Sequence, residues 1–210
     1  MTAALKIPHM GYMDEVNVDA ALKAVSGRKD ITMLCVLIKA TSLSLEDFPD
    51  LNAYTDPDCT ELRIQSDHNI GIAMDTPRGL MVPIISDVRS RSVIDIAKEL
   101  SRLKDLGAAG KLGMGDLTGG TFSLSNIGSV GGTYASPVIV PPQVCIGAFG
   151  RAKRVPVFES STSMTVKEAR MMAVSWSADH RVIDGATIAR FSNRFKALVE
   201  NPIDMLLRMH

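Results

Sequence analysis

Apolar residues recur at two periods along this chain, and the places where the period changes mark its elements. Near the C-terminus Ile188, Phe191, Phe195, Leu198 and Val199 fall at helical spacing, and Asn201-Pro202 stops the run. Met171 to Val174, upstream, reads as a buried strand. Ser92-Val93-Ile94-Asp95 has the Ser-x-x-acid form of a capping box. It predicts a helix with Val93, Ile96, Ala97, Leu100 and Leu103 on one face, closing near Gly107. Thr32 to Leu45 predicts another helix, with Thr32 as N-cap. Met33 to Ile38 is apolar on every side, which puts that helix in the middle of a core. A short helix is predicted over Asp14 to Val25.

Strand patterns fill most of the rest. Leu62-Arg63-Ile64 alternates, His68 to Ala73 carries Ile70 and Ile72 on one face, and Leu80 to Ile85 follows a turn at Asp75–Gly79. Thr121 to Ser125, Val138 to Val140 and Gln143 to Phe149 read as strands. Val155–Phe158 and Thr165–Val174 can pair around a polar hairpin at Ser160–Ser163. Pro8 and Gly11 forbid a regular helix over residues 1–12, so that stretch is an extended arm needing a surface, such as a neighbouring subunit. Ile203 to Met209 is a short apolar turn free to pack. Strands and helices mix without strict β-α-β alternation, and neither repeat nor linker interrupts them. The expectation is one domain over residues 1–210, an α/β fold with a mixed β-sheet covered by helices.

Composition narrows the function classes. Apolar residues at 46% and charged residues at 22% describe an ordinary globular chain, which argues against disorder. Lys+Arg and Asp+Glu balance at 23 each, so nothing draws the chain in bulk to nucleic acid or to anionic membrane. Zero net charge suggests that some surface is buried against copies of the same chain. Cys35, Cys59 and Cys145 show no metal-ligand spacing, so no metal is expected. Cys35 and Cys145 lie in apolar runs, as buried thiols do in a reducing compartment, and nothing beside Cys145 would activate it. The longest apolar run, Met33 to Ile38, is far short of a membrane span. No secretory signal pattern opens the chain.

The sharpest chemistry lies in Trp176-Ser177-Ala178-Asp179-His180-Arg181-Val182-Ile183-Asp184-Gly185. His180 sits where a strand leaves the core, and Asp184-Gly185 opens the next helix, so the imidazole is held from both sides yet can face a cleft. A lone histidine is commonly just a packed or surface ring. As a base, its natural partner is a thiol, whose pKa of ~8.5 leaves it mostly protonated. Thiolate attack on a thioester creates an oxyanion that needs a donor. Ser125, at a strand end against the Gly-rich turn Asn126–Gly132, could supply one, although by itself it reads more readily as an ordinary strand-end or turn serine. No G-x-S-x-G elbow supports a serine nucleophile, and no Lys-Ser/Thr ending makes the turn a P-loop. Asp184 is one helical turn from His180 and is expected to fix the local fold through a salt bridge.

The string Ser177 to Ala186, with its His-x-x-x-Asp-Gly, resembles the dihydrolipoamide acyltransferase component of the 2-oxoacid dehydrogenase complexes, within the chloramphenicol acetyltransferase-like superfamily. Two further blocks carry the likeness: Met1 to His9, and Gly119-Gly120-Thr121-Phe122-Ser123-Leu124-Ser125-Asn126-Ile127-Gly128, continuing through Gly131-Gly132-Thr133-Tyr134-Ala135 to Pro137 and Pro141-Pro142. The wording of these two is most similar to the branched-chain member. The resemblance implies a chloramphenicol acetyltransferase-like fold. It also implies transfer of a branched acyl group, such as isobutyryl, from dihydrolipoamide to coenzyme A. His180 would be the general base, Asp184 its signature partner, and Ser125 the oxyanion donor. Coenzyme A would meet Thr32, Asp75, Lys104, Ser125, Asn126, Gly150 and Ala152, with Thr32 and Lys104 standing where Ser and Gln are usual.

The same resemblance implies homotrimers in which His180 of one subunit approaches Ser125 of the next, joined into a cubic 24-subunit core. It implies 2-oxoacid decarboxylase and dihydrolipoyl dehydrogenase as partners through domains this chain lacks. The lipoyl and peripheral subunit-binding domains are absent from it, so the lipoyl group would arrive from a missing region or another chain. The compartment would be the mitochondrial matrix in a eukaryote and the cytoplasm in a bacterium. One departure stands out: Val25 to Asp30 is short, without the arginine that meets coenzyme A in the family. The alternatives are an acetyl-transferring pyruvate complex core and a catalytically silent structural core.

Overall fold

A computed structural model describes residues 6–160 and 162–207. In chain order the elements are β1 (His9–Asn17), α1 (Asp19–Ala24), α2 (Met33–Asp47), β2 (Ala53–Thr55), β3 (Leu62–Ile64), β4 (Ile70–Thr76), β5 (Gly79–Met81), β6 (Ile84–Ile85), α3 (Val93–Ala108), β7 (Phe122–Ser125), β8 (Cys145–Phe149), β9 (Lys153–Phe158), β10 (Val166–Asp179), α4 (Gly185–Glu200) and α5 (Ile203–Leu206).

The main sheet runs β1-β10-β8-β7-β4-β5, with β6 on β4 and β9 on β10. The β4-β7 and β7-β8 pairings are parallel and the others antiparallel, so the sheet is mixed as expected. β10 is its spine: the first half pairs with β9, the second with β1 and β8. From Met172 to Asp179 every residue of β10 is buried, because α4 covers one face and neighbouring strands hold both edges. Trp176 meets Phe191 edge to face at 4.9 Å, with Phe122, Phe149 and Phe195 around it. Gly147 lies opposite on β8, where a Cβ would come within 2.4 Å of the indole. Only a residue without a side chain leaves room for that ring.

α2 is buried from Leu34 to Leu45, as an all-apolar helix requires, yet it carries Lys39 at 2% exposure. The ammonium donates to the carbonyls of Val88, Arg89 and Arg91, which satisfies a charge the core could not otherwise hold. Ser92 caps α3 by accepting from the Asp95 amide, as the capping box predicts. Thr32 does stand at the N-cap of α2, but its side chain makes no capping hydrogen bond.

Four expectations need correction. Asp14–Asn17 belong to β1, and the helix there is only Asp19–Ala24. Pairing with β10 residue for residue captures that segment, a tertiary gain that outweighs its weak helical preference. Residues 9–12 are extended, but they lie on the chain's own β10 rather than needing another subunit; residues 1–5 of the arm, and Met209 at the other end, lie outside the described residues. Leu80–Ile85 is two short strands, broken at Val82-Pro83, since proline cannot donate to the ladder. Val138–Val140 forms no strand, because prolines at 137, 141 and 142 flank it.

Candidate active site

His180 is the first residue past β10 and is exposed. Its backbone N–H donates to Pro8, and its Nδ1 lies 3.0 Å from the Ile183 carbonyl. A carbonyl can only accept, so Nδ1 carries a proton in that contact, and in the neutral ring the lone pair then belongs to Nε2. A tight turn carries the chain from β10 to α4: Val182 and Ile183 both donate to the Asp179 carbonyl. The turn thus anchors the imidazole through Nδ1 and leaves Nε2 as the nitrogen not engaged by the turn.

Asp184 does something other than the expected salt bridge. No ion pair reaches it among the described residues; it is the N-cap of α4 and accepts from the Thr187 amide at 2.7 Å. That hydrogen bond holds its carboxyl below the usual carboxylate range. The ion pair is instead formed by the two residues that flank His180. Asp179, fully buried, accepts from Arg181 Nη2 at 2.7 Å, from Nε at 2.9 Å and from the Arg181 amide at 3.1 Å. Burial pushes the Asp179 carboxyl up, and the Arg181 hydrogen bonds more than reverse it, leaving it lowered. Sequence reasoning passed over this pair. Its signal was there: Ser175, Ser177 and Asp179 are polar in a segment, residues 171–179, that is otherwise apolar, and a buried carboxylate must find a cation.

The Ser125 side is a cavity of about 460 Å³. Asp75, Lys104, Ser125 and Asn126 line it together, so β4, α3 and the end of β7 bring together four of the positions expected to meet a ligand. Apolar walls come from Leu34, Ile72, Met74, Ile127 and Val130. Thr32 is exposed at the start of α2, two residues from the lining Leu34. Gly150 and Ala152 are not part of the lining. Gly150 is buried under the Gly-rich turn: a Cβ there would meet the Thr133 carbonyl at 1.9 Å, and one on Gly128 would meet Gly150 at 2.3 Å. These glycines let the turn after Ser125 close directly onto the end of β8.

Within one chain the two halves do not meet. Ser125 pairs with Ala148, which pairs with Ser175, and His180 is five residues farther along the chain. Strand spacing and rise put Ser125 and His180 ~19 Å apart at opposite ends of the sheet.

Known proteins give this geometry a context. The family description "2-oxoacid dehydrogenases acyltransferase (catalytic domain)" matches residues 1–207. A mitochondrial lipoamide acyltransferase component of the branched-chain alpha-keto acid dehydrogenase complex from Mus musculus is 53% identical over 99% of this chain. The chain spans 44% of that relative's length. The solved cubic core of a pyruvate dehydrogenase multienzyme complex superposes with a TM-score of 0.88 at 31% identity, covering 98% of this chain and 86% of that one. A chloramphenicol acetyltransferase superposes at 0.67 with 13% identity, covering 92% and 89%, which shows the shared fold. The expected mixed α/β fold is therefore the chloramphenicol acetyltransferase-like one, and the chain belongs to the acyltransferase catalytic-domain family of the 2-oxoacid dehydrogenases.

Proposed function

We propose that this chain is the catalytic core of a branched-chain lipoamide acyltransferase, moving an acyl group from dihydrolipoamide to coenzyme A. The observation that carries the reading is His180: its Nδ1 donates to the Ile183 carbonyl and no hydrogen bond among the described residues reaches its Nε2, the arrangement a base on a thiol needs from its neutral ring. Nε2 takes the proton of the coenzyme A thiol as sulfur attacks the thioester carbonyl. Ser125 donates to the resulting oxyanion. Collapse breaks the bond to the dihydrolipoamide sulfur, which recovers the proton from the imidazolium. Proton transfer of this kind is worth ~10²–10⁴-fold.

The cavity beside Ser125 fits the acceptor. Its apolar walls suit a pantetheine arm, Asn126 can serve the amides, and Lys104 supplies positive charge toward phosphate. Arg28, in the short 25–30 stretch, is tied to Asp30 in the open and does not line the cavity, so Lys104 is the cation of this wall. Because Ser125 and His180 stand at opposite ends of one sheet, the crevice is completed by a second copy, as in a trimer. Likeness to a cubic core supports assembly of trimers into a 24-subunit cage. Exposed Ile203 and Leu207 near the C-terminus offer apolar contacts for it. Decarboxylase and dihydrolipoyl dehydrogenase partners, and the lipoyl group itself, would engage through the rest of the protein. The mitochondrial relative supports a mitochondrial location, in the matrix.

The branched-chain preference rests on the 53% identity to the branched-chain relative, against 39% to a pyruvate-complex acetyltransferase component. The test is coenzyme A-dependent transfer by the assembled core, with isobutyryl and acetyl donors compared by kcat/KM. Isobutyryl should be preferred. His180→Ala should lose activity by orders of magnitude with the assembly intact; an equally active variant removes His180 as the base, and a wild-type core that transfers nothing overturns the reading in favour of a silent scaffold.

A further inference from the structure

Arg181 reaches in two directions. Nε and Nη2 grip the carboxylate of Asp179, and Nη1 donates to the Pro57 carbonyl at 2.9 Å. Asp179 lies before His180 and Arg181 after it, so the ion pair closes a ring of chain around the imidazole. Asp179 is itself anchored to the sheet, its N–H donating to Val144 and its carbonyl accepting from Val182 and Ile183. Ile183 is the residue whose carbonyl fixes the ring. A fully buried carboxylate is an expensive way to hold a turn, since its desolvation is only offset by the guanidinium. Capping α4 and closing the turn need no buried charge. The ring of contacts instead restrains a rotor: the direction in which His180 presents Nε2.

We propose that Asp179 and Arg181 are positioning residues for His180, a clamp that connects the turn of the base to the 55–60 loop through Pro57. The clamp acts through Ile183. With Asp179 and Arg181 joined, the carbonyl of Ile183 stays where Nδ1–H can reach it; with the clamp open, the imidazole gains other rotamers and the other tautomer. Neither residue touches substrate in this assignment. It rests on the reading of His180 as the base.

The test compares three variants of the assembled core with wild type and with His180→Ala. Arg181→Met strands the buried Asp179 carboxylate, and Asp179→Asn leaves the more exposed Arg181 without its acceptor, so both are expected to lose stability as well as rate, the first more than the second. The double variant D179N/R181M removes both charges and should recover much of the stability lost by the singles. Its kcat should nevertheless remain at least tenfold below wild type with KM for coenzyme A unchanged. R181K, which keeps the charge but cannot fork between Asp179 and Pro57, should also be slowed, by less. A double variant that is stable and turns over within twofold of wild type overturns the clamp, since the pair would then serve only the fold. Failure of the underlying reading looks different: wild type inactive, or His180→Ala active.

Discussion

Ser125 and His180 stand at opposite ends of the same sheet, separated by the β7-β8-β10 ladder and five residues of chain beyond it. A hydroxyl and an imidazole so placed can share one reacting carbonyl only if they come from different copies of the chain. Mixing two dead variants tests this. Co-expressed His180→Ala and Ser125→Ala chains should form trimers in which about a quarter of the crevices pair a native His180 with a native Ser125, if each crevice spans one heterologous contact. Activity near a quarter of wild type is expected. A mixture no better than either variant alone would mean that the crevice is not shared.

Ser125→Ala alone should reveal a donor used only at the peak of the barrier. Loss of an oxyanion contact costs ~2.7–4 kcal/mol, or ~10²–10³ in kcat. KM for coenzyme A should change little, because the ground-state carbonyl demands less of the hydroxyl. A rise in KM with kcat preserved would assign Ser125 to binding instead.

The fold was more legible than the site. Ile188, Phe191 and Phe195 announced their roles, since large apolar residues at helical period can go nowhere but a core. The Ser92 cap and the β9-β10 hairpin were local and equally readable. β1 was missed because its partner lies over 150 residues away, and no local pattern encodes that pairing. Asp184 shows the same limit in the site: its type and spacing fitted either a salt bridge or a cap, and only the turn geometry chose the cap. That Lys104 and Asp75 share one cavity followed from no spacing rule, because α3 and β4 are brought together by packing.

Lys104 should serve the acceptor rather than the chemistry. It makes no ion pair among the described residues, although Asp75 lines the same cavity. Lys104→Gln removes the charge while keeping a polar, flexible side chain in the cavity wall. KM for coenzyme A should rise ~3–10-fold at low salt, the difference shrinking as salt screens the wild-type contact. Pantetheine, which lacks the nucleotide phosphates, should be used equally well by both enzymes. An unchanged KM for coenzyme A at low salt would place the phosphates elsewhere.

Asp184 gives the fold an acid limit. Its carboxyl is held low by the Thr187 amide, so its folded pKa lies below its unfolded one. The sign follows: the charged cap stabilises fully above the unfolded value of ~3.9 and is lost as pH falls through the lower folded value. Asparagine caps as well as aspartate but does not titrate. Asp184→Asn should therefore flatten part of the decline in Tm between pH 5 and pH 3, while leaving Tm near pH 7 almost unchanged. Identical acid profiles would show that other carboxylates set the limit.

Lys39 is the residue whose removal the core should feel most for its size. Its ammonium is buried in α2 and donates to the carbonyls of Val88, Arg89 and Arg91, just ahead of the Ser92 cap. Burial lowers its pKa, the sign of a charge held at a cost. A buried salt bridge can often be replaced by two apolar residues, because both charges leave together. Here the partners are backbone carbonyls and remain behind. Lys39→Met keeps the volume and abandons those acceptors, so stability should fall by ~2–4 kcal/mol. The urea midpoint should drop with m unchanged, and amide exchange should quicken in the Val88–Ser92 segment and the first turn of α3. A variant with the wild-type midpoint would show that this loop can turn its carbonyls to water without help.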